Sequence, residues 1–219
     1  MSMEAQHVAH GRLVSVNVGA TQTFTDGKRM FTSAIAKRPR DGRVALRGVN
    51  LAGDDQADRQ AHGGPDRALY AYASEDYAWW EGELGRPLAP GLFGENLTLR
   101  GIDVNGAVVG EQWRVGNAIL RVTSPRIPCY KLAHVVGETD FVKRFAAALR
   151  PGAYLAIVEE GDVGAGDGVE ILTKPSRSVT LADFAHVYFS DHARIAELLD
   201  VPGMTDAWRA WAAERAAAR

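Results

Sequence analysis

The sequence predicts a mostly β chain, a barrel or sandwich interrupted by helices and followed by a short helical tail. Three observations predict it. Short runs of strand character recur from residue 11 to 173, separated by Gly, Asn, Asp and Pro. Two stretches inside that region carry helical signals instead. After Pro175 the strand character stops and helical spacing takes over.

The first strand is Leu13-Val-Ser-Val-Asn-Val18, which alternates apolar and polar residues as a half-buried strand does. Ala68-Leu-Tyr-Ala-Tyr-Ala73 is apolar throughout, the pattern of a strand covered on both faces. A helix is expected from Glu75 to Gly85, capped by Ser74 and stopped before Pro87. Ile119-Leu-Arg-Val-Thr123 alternates again. A second helix is expected from Thr139 to Leu149, with Phe141, Phe145 and Leu149 on one face and Pro151-Gly152 closing it. Ala153 to Val158 reads as another covered strand. Gly164-Ala-Gly-Asp-Gly168 lies between two strand-like runs and opens no helix, so it reads as a turn and not a phosphate cradle. In the tail, Thr180-Leu-Ala-Asp183 is a capping signal, and helices are expected over Asp191–Leu199 and Thr205–Ala217. So small a tail would need the barrel or a second subunit to cover Phe184, Trp208 and Trp211.

The chain has 219 residues, room for one large domain or a domain with an appendage. Its formal net charge of −2 argues against a sequence-independent nucleic-acid binder, which carries a basic excess. A single cysteine forms no intramolecular disulfide and fits a reducing compartment. The first ten residues show no basic region followed by an apolar core. No apolar run reaches the roughly 18 residues that span a bilayer. A cytoplasmic protein without a membrane segment is the expectation.

That cysteine sits in Ser124-Pro-Arg-Ile-Pro-Cys129-Tyr-Lys-Leu132. Pro125 and Pro128 restrict the backbone around Cys129. Arg126 and Lys131, if close, favour the thiolate that attacks or binds metal. On composition alone a lone cysteine is as readily a small buried hydrophobe. A second segment, Asp54-Asp-Gln-Ala-Asp-Arg-Gln-Ala-His-Gly-Gly-Pro-Asp-Arg67, places His62 beside Gly63-Gly64, whose backbone can approach a ligand closely. Asp54, Asp55 and Asp58 are candidates to orient His62 or accept protons, and Arg59 and Arg67 to hold an anion. An ordinary acidic surface loop fits that stretch equally well. A third, Gly91-Leu-Phe-Gly-Glu-Asn-Leu-Thr98, suggests a tight loop that offers Asn96 as donor and acceptor and Glu95 as a cap or acid. Lys37-Arg38-Pro39-Arg40 reads as a solvated loop in preference to a phosphate anchor. No zinc spacing, Walker loop or Gly-x-Ser-x-Gly elbow is present.

Taken in order, residues 55–68, 91–98 and 125–132 resemble the MOSC domain family, and most closely its small bacterial YiiM-type branch. The tail from Val179 to Arg215 resembles the three-helix module that follows the barrel there. The resemblance implies a MOSC-type β-barrel interrupted by helices over 11–174, a three-helix module over 175–219, and a disordered segment over 1–10. It implies a molybdenum cofactor, a pterin dithiolene with a phosphate tail, with the family's cysteine falling on Cys129 as metal ligand. The implied activity is reduction of N-hydroxylated compounds such as hydroxylamino purines, R–NHOH taking two electrons and two protons to give R–NH2 and water. His62 or Asp58 would supply a proton. Gly63, Gly64 and Asn96 would position cofactor or substrate, and Arg59, Arg67, Arg126 and Lys131 would meet the pterin phosphate. One cysteine holds no iron–sulfur cluster, so a separate electron-donating reductase is expected. The tail serves as its docking surface, as a homodimer contact, or as packing on the barrel. Two alternatives keep Cys129 at the centre. One is a sulfur relay through a Cys129 persulfide. The other is a metal-free thiol hydrolase or transferase with His62 or His134 as base.

Overall fold

Alternation along each strand decides what the barrel encloses. A computed structural model describes residues 11–27, 29–56 and 64–218, so residues 1–10 lie outside it. The strands are β1 (Gly11–Val18), β2 (Gln22–Asp26), β3 (Arg29–Ser33), β4 (Arg38–Pro39), β5 (Val44–Arg47), β6 (Asn50–Leu51), β7 (Leu69–Ala73), β8 (Leu97–Arg100), β9 (Gln112–Val115), β10 (Ala118–Pro125), β11 (Ala153–Glu159), β12 (Gly161–Val163) and β13 (Gly168–Thr173). The helices are α1 (Ser74–Leu84), α2 (Tyr130–Val136), α3 (Phe141–Ala148), α4 (Leu181–Phe189) and α5 (Asp206–Ala217). Seven strands run in the order β13-β9-β10-β11-β7-β8-β1, and β1 pairs back with β13 through Gly11–Val169 to close the barrel. The β7–β8 pair is parallel, and the crossover it needs is supplied by α1 and the loop after it.

Strand β7 is buried throughout, and its two faces serve different cores. Leu69, Ala71 and Ala73 join the barrel interior with Leu13, Leu97, Trp113 and Leu155. Tyr70 and Tyr72 point the other way, into an aromatic cluster with Tyr77, Trp80, Phe93, Phe141 and Phe145. That second cluster lies between the barrel wall and the first three helices. Phe93 is its hub, with ring centroids 5.0 Å from Tyr72 and 4.8 Å from Tyr77.

The first helix begins one residue earlier than expected. Ala73 is its N-cap without a side-chain bond, and Ser74 Oγ instead meets Glu75 Oε2 at 3.2 Å. Gly85 ends it with φ +66°. Leu149 does not extend the apolar face of α3. It takes the left-handed conformation, φ 50°, as the cap that turns the chain toward β11. Helix α2 was not anticipated. Pro128 hides it, although its first residue directly follows Cys129.

In the tail, Thr180 and Thr205 cap α4 and α5 by accepting from Asp183 N at 3.1 Å and Trp208 N at 3.4 Å. The segment between them, His192–Asp200, is a 3₁₀ run and not an α-helix. Phe184, Ile195, Leu198, Met204 and Trp208 belong to the same apolar cluster as the barrel interior. A bridge between Val108 and Thr180 ties the tail's start to the barrel. No helix among the described residues is long and apolar enough to cross a membrane.

Candidate functional site

The last two residues of β10 and the prolines around them set the cysteine in place. The register of β10 against β11 slips between Val122 and Ser124, a bulge that turns the chain out of the sheet. Thr123 Oγ1 secures the slip, reaching Asp66 O at 2.6 Å and Tyr154 O at 3.0 Å. Six residues after Thr123, Cys129 occupies the N-cap position of α2, with its carbonyl accepting from Leu132 N at 2.9 Å. Cys129 is a half-buried free thiol at the wall of an open cleft, about 640 Å³ counted out to its mouth.

Four segments far apart in sequence build that cleft. Ser33, Ala34, Ile35 and Lys37 come from the stretch leaving β3. Asp54, Asp55 and Gln56 follow β6, Gly94 and Asn96 precede β8, and Arg126, Cys129 and Lys131 follow β10. Arg67, Leu69, Tyr70 and Tyr154 complete the wall. The hairpin β2–β3 is held over α2 by rings. Phe24 stacks on Phe31 at 5.2 Å, and Phe31 meets Tyr130 and His134 edge-on at 5.2 Å each.

The Gly-Leu-Phe-Gly loop is shaped by close approach. A Cβ on Gly94, whose φ is +75°, would lie 2.9 Å from Ile35 Cγ1 and 3.3 Å from Arg126 Nη1. The loop carries Asn96 into the cleft. Asn96 Nδ2 donates to Asp54 Oδ2 at 2.9 Å, while its Oδ1 accepts from Tyr70 N at 3.1 Å. Asp54 also accepts from Gly19 N at 2.8 Å and pairs with Lys37 Nζ. Glu95 faces away from the cleft, fully buried. It accepts from Tyr77 Oη at 2.8 Å, Gly91 N at 2.6 Å and Thr98 Oγ1 at 2.8 Å. Burial pushes its carboxyl above the usual carboxylate range despite those bonds.

Electrostatically, the cleft sets Lys37, Arg67, Arg126 and Lys131 against Asp54 and Asp55. Arg126 is buried. Its Nη1 donates to Phe93 O, its plane lies over the Tyr70 ring at 5.0 Å, and its Nε has no hydrogen-bond partner. Burial lowers the Lys37 ammonium from its ordinary range more than the adjacent Asp54 raises it.

Of the residues singled out in the sequence, Cys129, Arg67, Asn96, Arg126 and Lys131 are brought to this one cleft. Gly64 is not part of its wall. It takes φ +94° ahead of the short 3₁₀ turn Pro65–Arg67, a conformation that favours glycine. Asp58, Arg59, His62 and Gly63 lie outside the described residues, and with them the distance between Cys129 and His62. Lys37 is the exception to the reading of its run as a solvated loop: Arg38, Pro39 and Arg40 are exposed, but the Lys37 side chain is only 8% exposed. The signal that could have found it is faint: a single lysine just after an apolar Ala34-Ile-Ala36. His134 is not among the residues that line the Cys129 cleft. It lines a separate apolar groove with Phe24, Pro90 and Leu92, and its Nδ1 is 4.0 Å from Asp26 Oδ1.

A half-buried thiol, two arginines and two lysines in one cleft suit a group that is anionic and sulfur-rich. The unsatisfied Arg126 Nε is a buried donor still in need of an acceptor. The residues present therefore fit a pterin dithiolene with a phosphate.

Comparison with known proteins agrees with the fold. The family profile described as MOSC domain matches residues 58–170. Protein YiiM of Escherichia coli is 34% identical over 203 residues, covering 89% of this chain and 88% of that protein. The crystal structure of YiiM from Geobacillus stearothermophilus superposes with a TM-score of 0.78 at 29% identity, covering 94% of this chain and 98% of that one. A protein of Gibberella moniliformis named reductase is 28% identical over 94% of this chain, which spans 37% of that protein's length.

Proposed function

This chain belongs to the MOSC domain family, and from that premise we propose that it is a molybdenum-cofactor-dependent oxidoreductase that reduces N-hydroxylated compounds to amines. The observation that carries the proposal is the single cleft in which the Cys129 thiol shares its walls with Lys37, Arg67, Arg126 and Lys131. Similarity to a longer fungal protein named reductase supports a redox role. Bound in this cleft, the cofactor supplies a two-electron change at molybdenum that no side chain here offers.

The protein's share is binding and positioning. Cys129 offers a soft thiolate ligand, fixed by Pro125, Pro128 and its place at the head of α2. Arg126, Arg67 and Lys131 offer charge to the anionic pterin phosphate, Arg126 through a planar fork. Asn96 stiffens the wall by joining the loop after β6 to the loop before β8. The open mouth leaves room for an N-hydroxylated substrate such as a hydroxylamino purine. Electrons come from a separate reductase, and the helical tail is assigned to packing on the barrel.

The test is molybdenum and pterin content of protein from a cofactor-competent host, wild type beside Cys129→Ala, followed by assay of hydroxylamino purine reduction. Near-equimolar molybdenum that disappears in the variant, with turnover in the wild type, is expected. A wild type that takes up no molybdenum from a host loading other such enzymes would sink the reading.

A further inference from the structure

Lys37 is oddly used for a phosphate anchor. It is buried, and its ammonium is already matched by Asp54, whose side chain is only 2% exposed. An anion entering the cleft finds stronger partners in Arg126 and Lys131, which have no carboxylate at ion-pair distance among the described residues. Asp54 in turn is fixed by Gly19 N at 2.8 Å and Asn96 Nδ2 at 2.9 Å, and it holds the lysine tip in one place. The result is a positioned ammonium in the same cleft as Cys129.

We propose that Lys37 is the proton donor of this cleft, delivering its ammonium proton to the oxygen that departs when an N–O bond is reduced. This rests on the reductase reading above and takes over the role that sequence reasoning assigns to His62 or Asp58. In the reaction R–NHOH becomes R–NH2 and water. The N–O bond breaks, one N–H and one O–H bond form, and a reduced electron-carrier protein supplies two electrons. Lys37 provides the proton that turns the departing oxygen into water and regains one from solvent at the cleft mouth. The other proton reaches nitrogen from solvent. Burial supports the role by moving the ammonium down from its ordinary value of 10.5, nearer to working pH, where a general acid is most effective. Asp54 and Glu95 oppose that movement and Arg126 assists it. Asp55, Arg67, Tyr70, Cys129, Lys131 and Tyr154 are the other charged or titratable groups lining the cleft.

Two measurements test this. The first is the pH dependence of acetic-anhydride labelling at each lysine of the molybdenum-loaded wild type and of Asp54→Asn, read by mass spectrometry. Lys37 should titrate below the exposed Lys143, and lower still in the variant. Equal midpoints for Lys37 and Lys143 overturn the proposal, with no need for a Lys37 variant to fold. The second compares wild type with Lys37→Arg for molybdenum content and for reduction of 6-hydroxylaminopurine by reduced methyl viologen. Arginine keeps the charge but does not give up its proton. Retained molybdenum with turnover reduced about 10²- to 10⁴-fold is expected. Wild-type turnover in Lys37→Arg overturns the Lys37 role alone. A molybdenum-loaded wild type without turnover overturns the reductase reading, and the Lys37 role with it.

Discussion

Asn96 Nδ2 donates to Asp54 Oδ2 at 2.9 Å, joining two loops that are 42 residues apart in sequence. The same amide reaches Asn17 O at 3.3 Å, and its oxygen takes the Tyr70 N–H. Asn96→Ala therefore leaves a buried backbone donor and a carboxylate oxygen short of partners, at a cost of about 1–3 kcal/mol. Thermal unfolding of the purified variant should show the loss, and molybdenum content should fall with it. Asn96→Asp should be worse at neutral pH, because it faces Asp54 with a second carboxylate.

Glu95 predicts a pH dependence of stability. Burial holds its carboxyl above the ordinary 4.5, so the unfolded chain releases the proton first as pH rises. The group's contribution is complete below about pH 4.5 and is lost as pH climbs through the raised folded value. Glu95→Gln cannot ionise, yet its carbonyl still accepts from Gly91 N and Thr98 Oγ1. Relative to wild type, the variant should gain stability from acid toward neutral pH. Urea unfolding at pH 4.5 and 8 checks this, and a stability difference that ignores pH would contradict it.

Much of the barrel was legible because strand alternation and turn residues are local signals. Ile119–Thr123 shows the pattern directly; Leu13–Val18 is a strand as expected, but its polar Ser15 and Asn17 are buried and Val14 is exposed. Closure was not legible, since pairing Gly11 with Val169 is a relation between the two ends of the barrel. In the site, Cys129 announced itself by its two prolines and cationic neighbours. Lys37 did not, because nothing in Lys-Arg-Pro-Arg says which of its cations faces inward. Helix α2 escaped notice because seven residues opening after Pro128 offer too short a window for periodicity. The 3₁₀ geometry of His192–Asp200 was hidden for a related reason: apolar spacing of three and four serves both helix types.

The tail's caps make a simple prediction. Thr180 Oγ1 accepts from Asp183 N at 3.1 Å, and Thr205 Oγ1 from Trp208 N at a longer 3.4 Å. Either change to alanine should cost about 1 kcal/mol, with Thr180→Ala the larger. Because α4 and α5 share the barrel's apolar cluster, the loss should appear in one cooperative unfolding transition. A separate early transition for the tail would contradict that coupling.

Arg126 separates binding from stability. Its guanidinium is buried against Tyr70 with one bond to Phe93 O, an unpartnered Nε, and no carboxylate at ion-pair distance among the described residues. The protein alone therefore bears a desolvation cost that an anionic ligand would offset. Arg126→Met keeps the volume and removes the buried charge, so the cofactor-free protein should match wild type or gain up to about 4 kcal/mol. The same variant should lose most of its molybdenum and pterin, because the donor fork is gone. Arg126→Lys should fall between the two in cofactor content, with charge retained and fork lost. Chemical denaturation of cofactor-free protein and metal analysis of loaded protein give the two readings. Lower stability of Arg126→Met with unchanged molybdenum would make Arg126 a structural residue and free the phosphate to bind elsewhere in the cleft.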